Sequence, residues 1–458
     1  MSKKQGRRPL KIALSVVVLA VVGVVGYAFA PTSTPEIKQP GDLNDAAMIE
    51  KGRYLAVASD CIACHSVKDG KPFAGGLGME TPLGTIYTSN ITPDKDTGIG
   101  NYSLADFDRA VRHGILPNGD SMYPAMPYPS YARLSDEDVT ALYAYFMHDV
   151  KPVAQANQAS DISWPLSMRW PLAIWRKTFG PSDADRAFDA SIYGDARIAR
   201  GAYLVQGAGH CGACHTPRDI TMQEKGLNES SPYFLSGGDV IDGWVTTNLR
   251  GDDGDGLGRW SEQDIVALLR TGRTTHGAAV SGAPMRDVVE HSMQHLTDDD
   301  LGAIAAYLKT LKPAGGERSS YQSADTTAKA LQAGQSLGLG GDLYVDNCAA
   351  CHRTNGKGDP HAFPTLAGNT TVLAQDPTSL VRLILGGQEM PVTQTRPSNL
   401  AMPGFAWRMN DDEVAALATF VRNGWGNKAP EVSAEKVKTV RAEMAAGHDA
   451  HRLTRTAP

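Results

Sequence analysis

Cysteine is scarce in this chain. There are six in 458 residues, and none lies outside three short copies of one pattern. So few thiols exclude a disulfide-dense scaffold. Also missing are a glycine-rich dinucleotide fingerprint after a strand and a nucleophile with a matched base. Those absences leave the chain without a catalytic constellation of its own. Asp94, Asp96, Asp252, Asp253 and Asp255 make a calcium-loop candidate that lacks the twelve-residue EF-hand pattern. Basic charge is not in excess. Lys and Arg total 44 against 50 Asp and Glu, a net charge of -6, which removes the electrostatic footprint a nucleic-acid partner needs. With 42% apolar and 21% charged residues the chain is globular rather than disordered, and 47 Gly with 27 Pro make it rich in loops.

Only one long apolar run occurs. Lys3, Lys4, Arg7, Arg8 and Lys11 precede an uncharged stretch from Ile12 to Ala30. A basic flank before such a run directs export or membrane insertion. "AFA" at 28–30 reads as a signal-peptidase site, yet about 20 apolar residues also span a bilayer. A cleaved signal and an uncleaved anchor therefore both fit residues 1–30, and either places the rest outside the cytoplasm. Residues 31–44 read as a tether.

The cysteines occur as "CIACH" (61–65), "CGACH" (211–215) and "CAACH" (348–352). A disulfide framework does not need a histidine after each pair, and structural zinc draws its four ligands from pairs close in sequence. Thiols at i and i+3 on one side of a helical turn reach the two vinyl groups on one edge of a porphyrin, and the next residue is aimed beneath the ring. The pattern predicts three covalently bound haem c groups. Cys61, Cys64, Cys211, Cys214, Cys348 and Cys351 are the attachment residues, and His65, His215 and His352 the proximal iron ligands.

The flanks of each motif repeat too. "KGRYLAVASD", "RGAYLVQGAGH" and "GGDLYVDN" run into the motifs as short helices. "LSDEDVTALYAYFM" (134–147), "LTDDDLGAIAAYLKTL" (296–311) and "MNDDEVAALATFV" (409–421) close the modules. Ser135, Thr297 and Asn410 are their N-caps, with Asp138, Asp300 and Glu413 three residues on in a capping-box pattern. Tyr145, Tyr307 and Phe420 are read as core against the first helix of their own module. The fold class is mainly α, with three tandem small-cytochrome domains behind the N-terminal segment. The boundaries are 45–155, 191–315 and 331–428, with linkers at 156–190 and 316–330 and a tail at 429–458.

Methionine opposite histidine blocks iron and raises its potential, giving an electron carrier, whereas an open position favours peroxidase or gas chemistry. Met126 in "YPAMPYP" and Met402 in "AMPGF" stand before their closing helices in proline-marked loops. In the second module Met285 is preferred over Met293, which falls almost inside the closing helix. Met122, Met390 and Met409 compete with these choices. His113, His210, His276 and His291 recur at no matching position and are read as surface or supporting groups.

With "CIACHSVKDGKPFAGG", "YPAMPYPSYARLSDEDVTALYAYFM", "GAGHCGACHTPR", "VVEHSMQHLTDDDL" and "LYVDNCAACHRTNGKG", the chain resembles the triheme cytochrome c subunit of bacterial membrane-bound dehydrogenases over roughly residues 45–425. These are the alcohol and gluconate 2-dehydrogenase type, with the sorbitol and fructose enzymes. The resemblance implies a separate catalytic subunit carrying flavin or pyrroloquinoline quinone, a small third subunit, and ubiquinone as electron acceptor. It implies a place on the periplasmic side of the inner membrane. The alternatives are a cytochrome c subunit of a terminal oxidase and a haem peroxidase. "ISWPLSMRWPLAIWRKTFGP" (162–181) interleaves Trp164, Trp170 and Trp175 with Arg169, Arg176 and Lys177. It fits a packing linker, a membrane or quinone contact, or a partner contact. The C-terminal stretch reads as a weakly amphipathic helix with a thin apolar face of Val437, Val440 and Met444, then a frayed tail.

Overall fold

The computed structural model describes residues 7–35, 37, 42–81, 83–186, 188–280, 282–316, 318–398 and 400–446. Lys3, Lys4, part of the 31–44 tether and the end of the tail, 447–458, lie outside the described residues. Helix α1 (Arg7–Phe29) is exposed along its apolar length, and its window Ile12–Phe29 is long and apolar enough to cross a membrane.

Each module is built on one crossing of two helices. In the first, α2 (Ala46–Ala58) crosses α4 (Asp136–His148), with α3 (Leu104–His113) beside them. After the linker helix α5 (Trp170–Phe179), α6 (Ala196–Tyr203) crosses α9 (Asp298–Thr310), flanked by α7 (Glu262–Thr271) and α8 (Ala283–His291). The third pairs α10 (Gly338–Asn347) with α12 (Asp411–Asn423), flanked by α11 (Thr378–Gly386) and α13 (Ala434–Ala445).

A glycine sits at every crossing. A Cβ on Gly52 would lie 1.9 Å from the Ala141 carbonyl oxygen, one on Gly201 1.9 Å from that of Ala303, and one on Gly340 2.2 Å from that of Ala416. The next neighbours include the Cβ atoms of Tyr145, Tyr307 and Phe420. The closing aromatics thus pack on the first helix of their own module, and only a residue without a side chain admits the approach.

Ser135, Thr297 and Asn410 cap their helices, each accepting a hydrogen bond from the backbone N–H three residues on. The reciprocal half of the box closes only in the third module, where Glu413 accepts from the Asn410 N–H at 2.9 Å. In the first two the aspartate is drawn to the facing module. Asp138 accepts from the Tyr203 hydroxyl and pairs with Lys51 at 2.7 Å. Asp300 accepts from the Tyr54 hydroxyl and pairs with Arg200 at 2.8 Å. The exchange is mutual, since Tyr54 also receives the Thr297 N–H and Tyr203 the Ser135 N–H. Modules one and two therefore face each other with pseudo-two-fold symmetry.

They also share one hydrophobic cluster, running from Leu55 and Phe146 to Leu204, Ile304 and Leu311. The third module has its own, around Tyr344, Val414, Leu417 and Trp425, and hydrogen bonds and an ion pair join it to the second. Thr365 N–H donates to the Gly277 carbonyl at 2.9 Å, Arg286 pairs with Glu389 at 2.9 Å, and Val392 N–H donates to Glu290 at 2.7 Å.

Short strands trim the helices. β1 (Gly78–Thr81) and β2 (Gly84–Tyr87) form a hairpin, and β3 (Asp161–Ile162) extends it, so the first linker begins as a strand on module one. β4 (Gln388–Glu389) pairs with β5 (Ala401–Met402), which carries the candidate Met402. The thin apolar face of α13 is taken up by the protein itself, with Val437 and Val440 buried in the third module's cluster and Met444 packed against it.

Candidate functional site

Each Cys-x-x-Cys-His pattern is a single helical turn after its module's first helix. In modules one and two a left-handed residue breaks the two apart, Asp60 at φ 49° and His210 at φ 35°. In module three the break is Cys348 itself, at φ -120° and ψ -35°, neither helical nor left-handed. None of the six cysteines is in a disulfide. Low-polarity surroundings push Cys61, Cys64, Cys211 and Cys348 up to about 12, and Cys214 up to about 11. Among the described residues no group of three or more His, Cys, Asp or Glu is arranged to hold a metal ion.

The histidines behave alike. His65 Nδ1 donates to the Ser89 carbonyl at 2.7 Å, His215 Nδ1 to Thr247 at 2.8 Å, and His352 Nδ1 to Pro364 at 2.8 Å. Burial lowers all three below the ordinary histidine value. A backbone acceptor on Nδ1 fixes the tautomer that leaves the Nε2 lone pair for a metal. Two thiols on one turn and a histidine held in this way fit haem c at each of the three places. Ser89, Thr247 and Pro364 were not singled out from sequence, although "TSN" and "TTN" recur in the shared middle section and were a usable signal.

The methionine candidates separate by position. The loops after α3 and α7 start identically: Ile115 bridges Ser121 and Arg273 bridges Ala279, while Met122 N–H donates to Gly114 and Val280 N–H to Gly272. Met126 lies four residues beyond Met122, and Met285 five beyond Val280. Met293 lies much further on, 5% exposed within the shared cluster. This places Met285, in the first turn of α8, at the counterpart of Met126. In module three Met390 and Met409 are buried, Met409 in the core cluster, while Met402 is partly exposed on β5.

The remaining histidines have other partners. His210 Nε2 reaches the Ser59 carbonyl at 3.2 Å and its ring meets Tyr131 edge-on, between the modules. His276 Nδ1 lies 2.9 Å from Asp264, and His291 Nδ1 bonds the Asp287 carbonyl. His113 and His210 are not surface groups. Burial pushes His113 down to about 3. The calcium candidate also dissolves, because Asp94 spends its carboxylate on the N–H groups of Asp96 and Thr97, and Asp252 and Asp255 accept from Asn248.

The first two attachment turns face one another. The Cys61–Cys64 turn packs against α8, which carries Met285. Cys64 lies near enough to Cys214 for that thiol to help raise it, and Asp242 acts on both. Burial also lifts Glu224, beside Cys214, to about 7.

The cytochrome c family model matches residues 49–148, 198–312 and 338–425. The chain is 55% identical over 406 residues to the gluconate 2-dehydrogenase cytochrome c subunit of Pantoea cypripedii, covering 88% of this chain and 91% of that one. It is 52% identical over 388 residues to the cytochrome c subunit of the quinone alcohol dehydrogenase of Komagataeibacter europaeus, covering 84% and 82%. It is 37% identical over 459 residues to the fructose dehydrogenase cytochrome subunit of Gluconobacter japonicus, covering 95% and 90%.

Proposed function

Because the chain belongs to the cytochrome c family, as a cytochrome subunit of membrane-bound dehydrogenase complexes, we propose that it relays electrons through three haem c groups. The route runs from a separate catalytic subunit to ubiquinone at the periplasmic side of the inner membrane. The catalytic subunit carries flavin or pyrroloquinoline quinone and oxidises an alcohol, sugar or sugar acid, and a small third subunit completes the complex.

Bound haem c supplies one-electron iron chemistry, and the protein sets its potential and access. Cys61 with Cys64, Cys211 with Cys214 and Cys348 with Cys351 fasten the rings. His65, His215 and His352 would each offer Nε2 to the iron, and Met126, Met285 and Met402 would supply the second ligand. The facing turns of modules one and two make those two sites neighbours in the relay.

The observation that carries this reading is the threefold recurrence of a histidine, hydrogen-bonded through Nδ1 to a backbone carbonyl, directly behind two cysteines outside any disulfide. It is tested by purifying the protein from native membranes, counting covalent haem by mass, identifying the copurifying subunit, and adding alcohols, sugars and sugar acids while recording haem reduction. Three haems reduced through a copurifying dehydrogenase support it. A haem-free chain, or reduction by none of these substrates, overturns it.

A further inference from the structure

The peptide that holds His352 is itself held from another module. His352 Nδ1 donates to the Pro364 carbonyl at 2.8 Å. The N–H of that same peptide unit belongs to Thr365, and it donates to the Gly277 carbonyl at 2.9 Å. Gly277 stands in module two, in the loop between α7 and α8 that leads to Met285. One peptide thus joins an imidazole of module three to a backbone oxygen of module two. In module one the corresponding N–H, of Asn90, is met by the Asn157 side chain at 2.7 Å instead.

Module two braces the surroundings of this bond. Gly277 has φ +95°, and a Cβ there would lie 3.5 Å from the Pro360 Cα and 3.7 Å from the Thr365 nitrogen. Arg273, buried, donates from Nη1 to the His361 carbonyl at 2.6 Å and ties the loop to the segment before Thr365. Thr365 is 7% exposed, so water is a poor substitute for the Gly277 carbonyl. The strand pair that carries Met402 is held from module two as well. Arg286, next to Met285, pairs with Glu389 at 2.9 Å, and Glu389 stands opposite Ala401. An acceptor on a peptide N–H polarises that peptide and makes its carbonyl a stronger acceptor. A stronger acceptor on Nδ1 raises the basicity of an imidazole toward a metal. Toward iron, a more basic ligand favours the ferric state.

We propose that module two sets the potential of the third haem by holding the Pro364–Thr365 peptide, with Gly277 and Arg273 as its positioning residues. While the two modules are docked the hold on His352 is strong and the potential low. Loosening the Gly277 contact raises it. The proposal rests on the haem c reading of Cys348, Cys351 and His352. A chain without covalent haem on those cysteines breaks that reading, whereas three haems with a third potential indifferent to this contact break only the proposal.

The test uses the full chain, matured with its three haems, in a spectroelectrochemical titration. The third haem is identified as the one whose spectrum changes in His352→Met. Gly277→Ala puts a side chain on left-handed backbone beside Pro360, and Arg273→Gln removes the charged brace. Each should raise the third potential, leave the first unchanged, and speed hydrogen exchange in the peptide holding Thr365. Arg273→Lys keeps a donor for the His361 carbonyl and should restore most of the original value. Val440→Ala, which removes methyl groups from the core of module three, should weaken that module without moving the potential. An unmoved third potential in both Gly277→Ala and Arg273→Gln, or a shift confined to another haem, overturns the proposal. So does an equal rise in Val440→Ala, which would trace the potential to the packing of module three alone.

Discussion

Met285 and Met293 stand eight positions apart in one segment, and their surroundings assign them different work. Met293 fills the shared cluster, so Met293→Ala should cost about 2–5 kcal/mol of stability and leave haem ligation unchanged. Met285→Ala, Met126→Ala and Met402→Ala should each lower the potential of one haem and open it to carbon monoxide. Redox titration and carbon monoxide difference spectra check both halves, and a carbon monoxide-binding Met293→Ala would exchange the assignments. A subtler effect falls on Asn157. Its Oδ1 accepts the Asn90 N–H at 2.7 Å, and the carbonyl of that same peptide, Ser89, holds His65. Hydrogen bonds in a chain strengthen one another. Asn157→Leu should therefore weaken the hold on the His65 ring, raise the potential of the first haem alone, and cost about 1–3 kcal/mol for the stranded N–H.

The helix crossings and the exchanged caps carry the next level of organisation. Gly201→Ala or Gly340→Ala must push a methyl group into a backbone carbonyl, which yields less readily than a side-chain tip. A loss of about 1–3 kcal/mol in chemical denaturation is expected, and a neutral result would show that the helices can part at no cost. The exchanged caps respond to pH. Burial opposes ionisation of Asp300, but the hydrogen bonds and charge of Arg200 and the Tyr54 hydroxyl outweigh it and hold the carboxyl below its ordinary value. A group depressed in the folded state stabilises above its unfolded value of about 3.9 and loses that contribution as pH falls through the folded value. The seam between modules one and two should loosen below about pH 4, and Asp300→Asn should loosen it already at neutral pH. Hydrogen exchange at residues 297–300 and at Tyr54 measures both.

Two hydrophobic clusters for three modules set the behaviour of the entire chain. Modules one and two cannot separate without opening a common core, whereas the third has its own core and is joined to the second by hydrogen bonds and the Arg286–Glu389 ion pair. Units with their own core unfold as units. In urea, exchange followed peptide by peptide should show one transition shared by 45–155 and 191–315 and a distinct one for 331–445. A single coincident transition throughout would mean the polar seam is as strong as the shared core. The same arrangement keeps the first two candidate sites facing each other while the third module stays the more separable unit.

Covalent spacing and helical periodicity were open to reading along the chain. Cys-x-x-Cys-His is a local turn, its chemistry needs only neighbouring residues, and the repeated flanks announced three helical modules before any packing was known. The caps and closing aromatics were equally local. What depended on the folded chain was everything joining distant segments. The carbonyls of Ser89, Thr247 and Pro364 behind the histidines, the diversion of Asp138 and Asp300 from their capping boxes, the burial of Val437 and Val440, and the hold of the Gly277 carbonyl on Thr365 all arise from residues far apart in sequence. A hydrogen-bonding group or an apolar face advertises its need in the sequence, but tertiary packing alone selects which of several available partners meets it, because that choice rests on which surfaces are brought within contact distance.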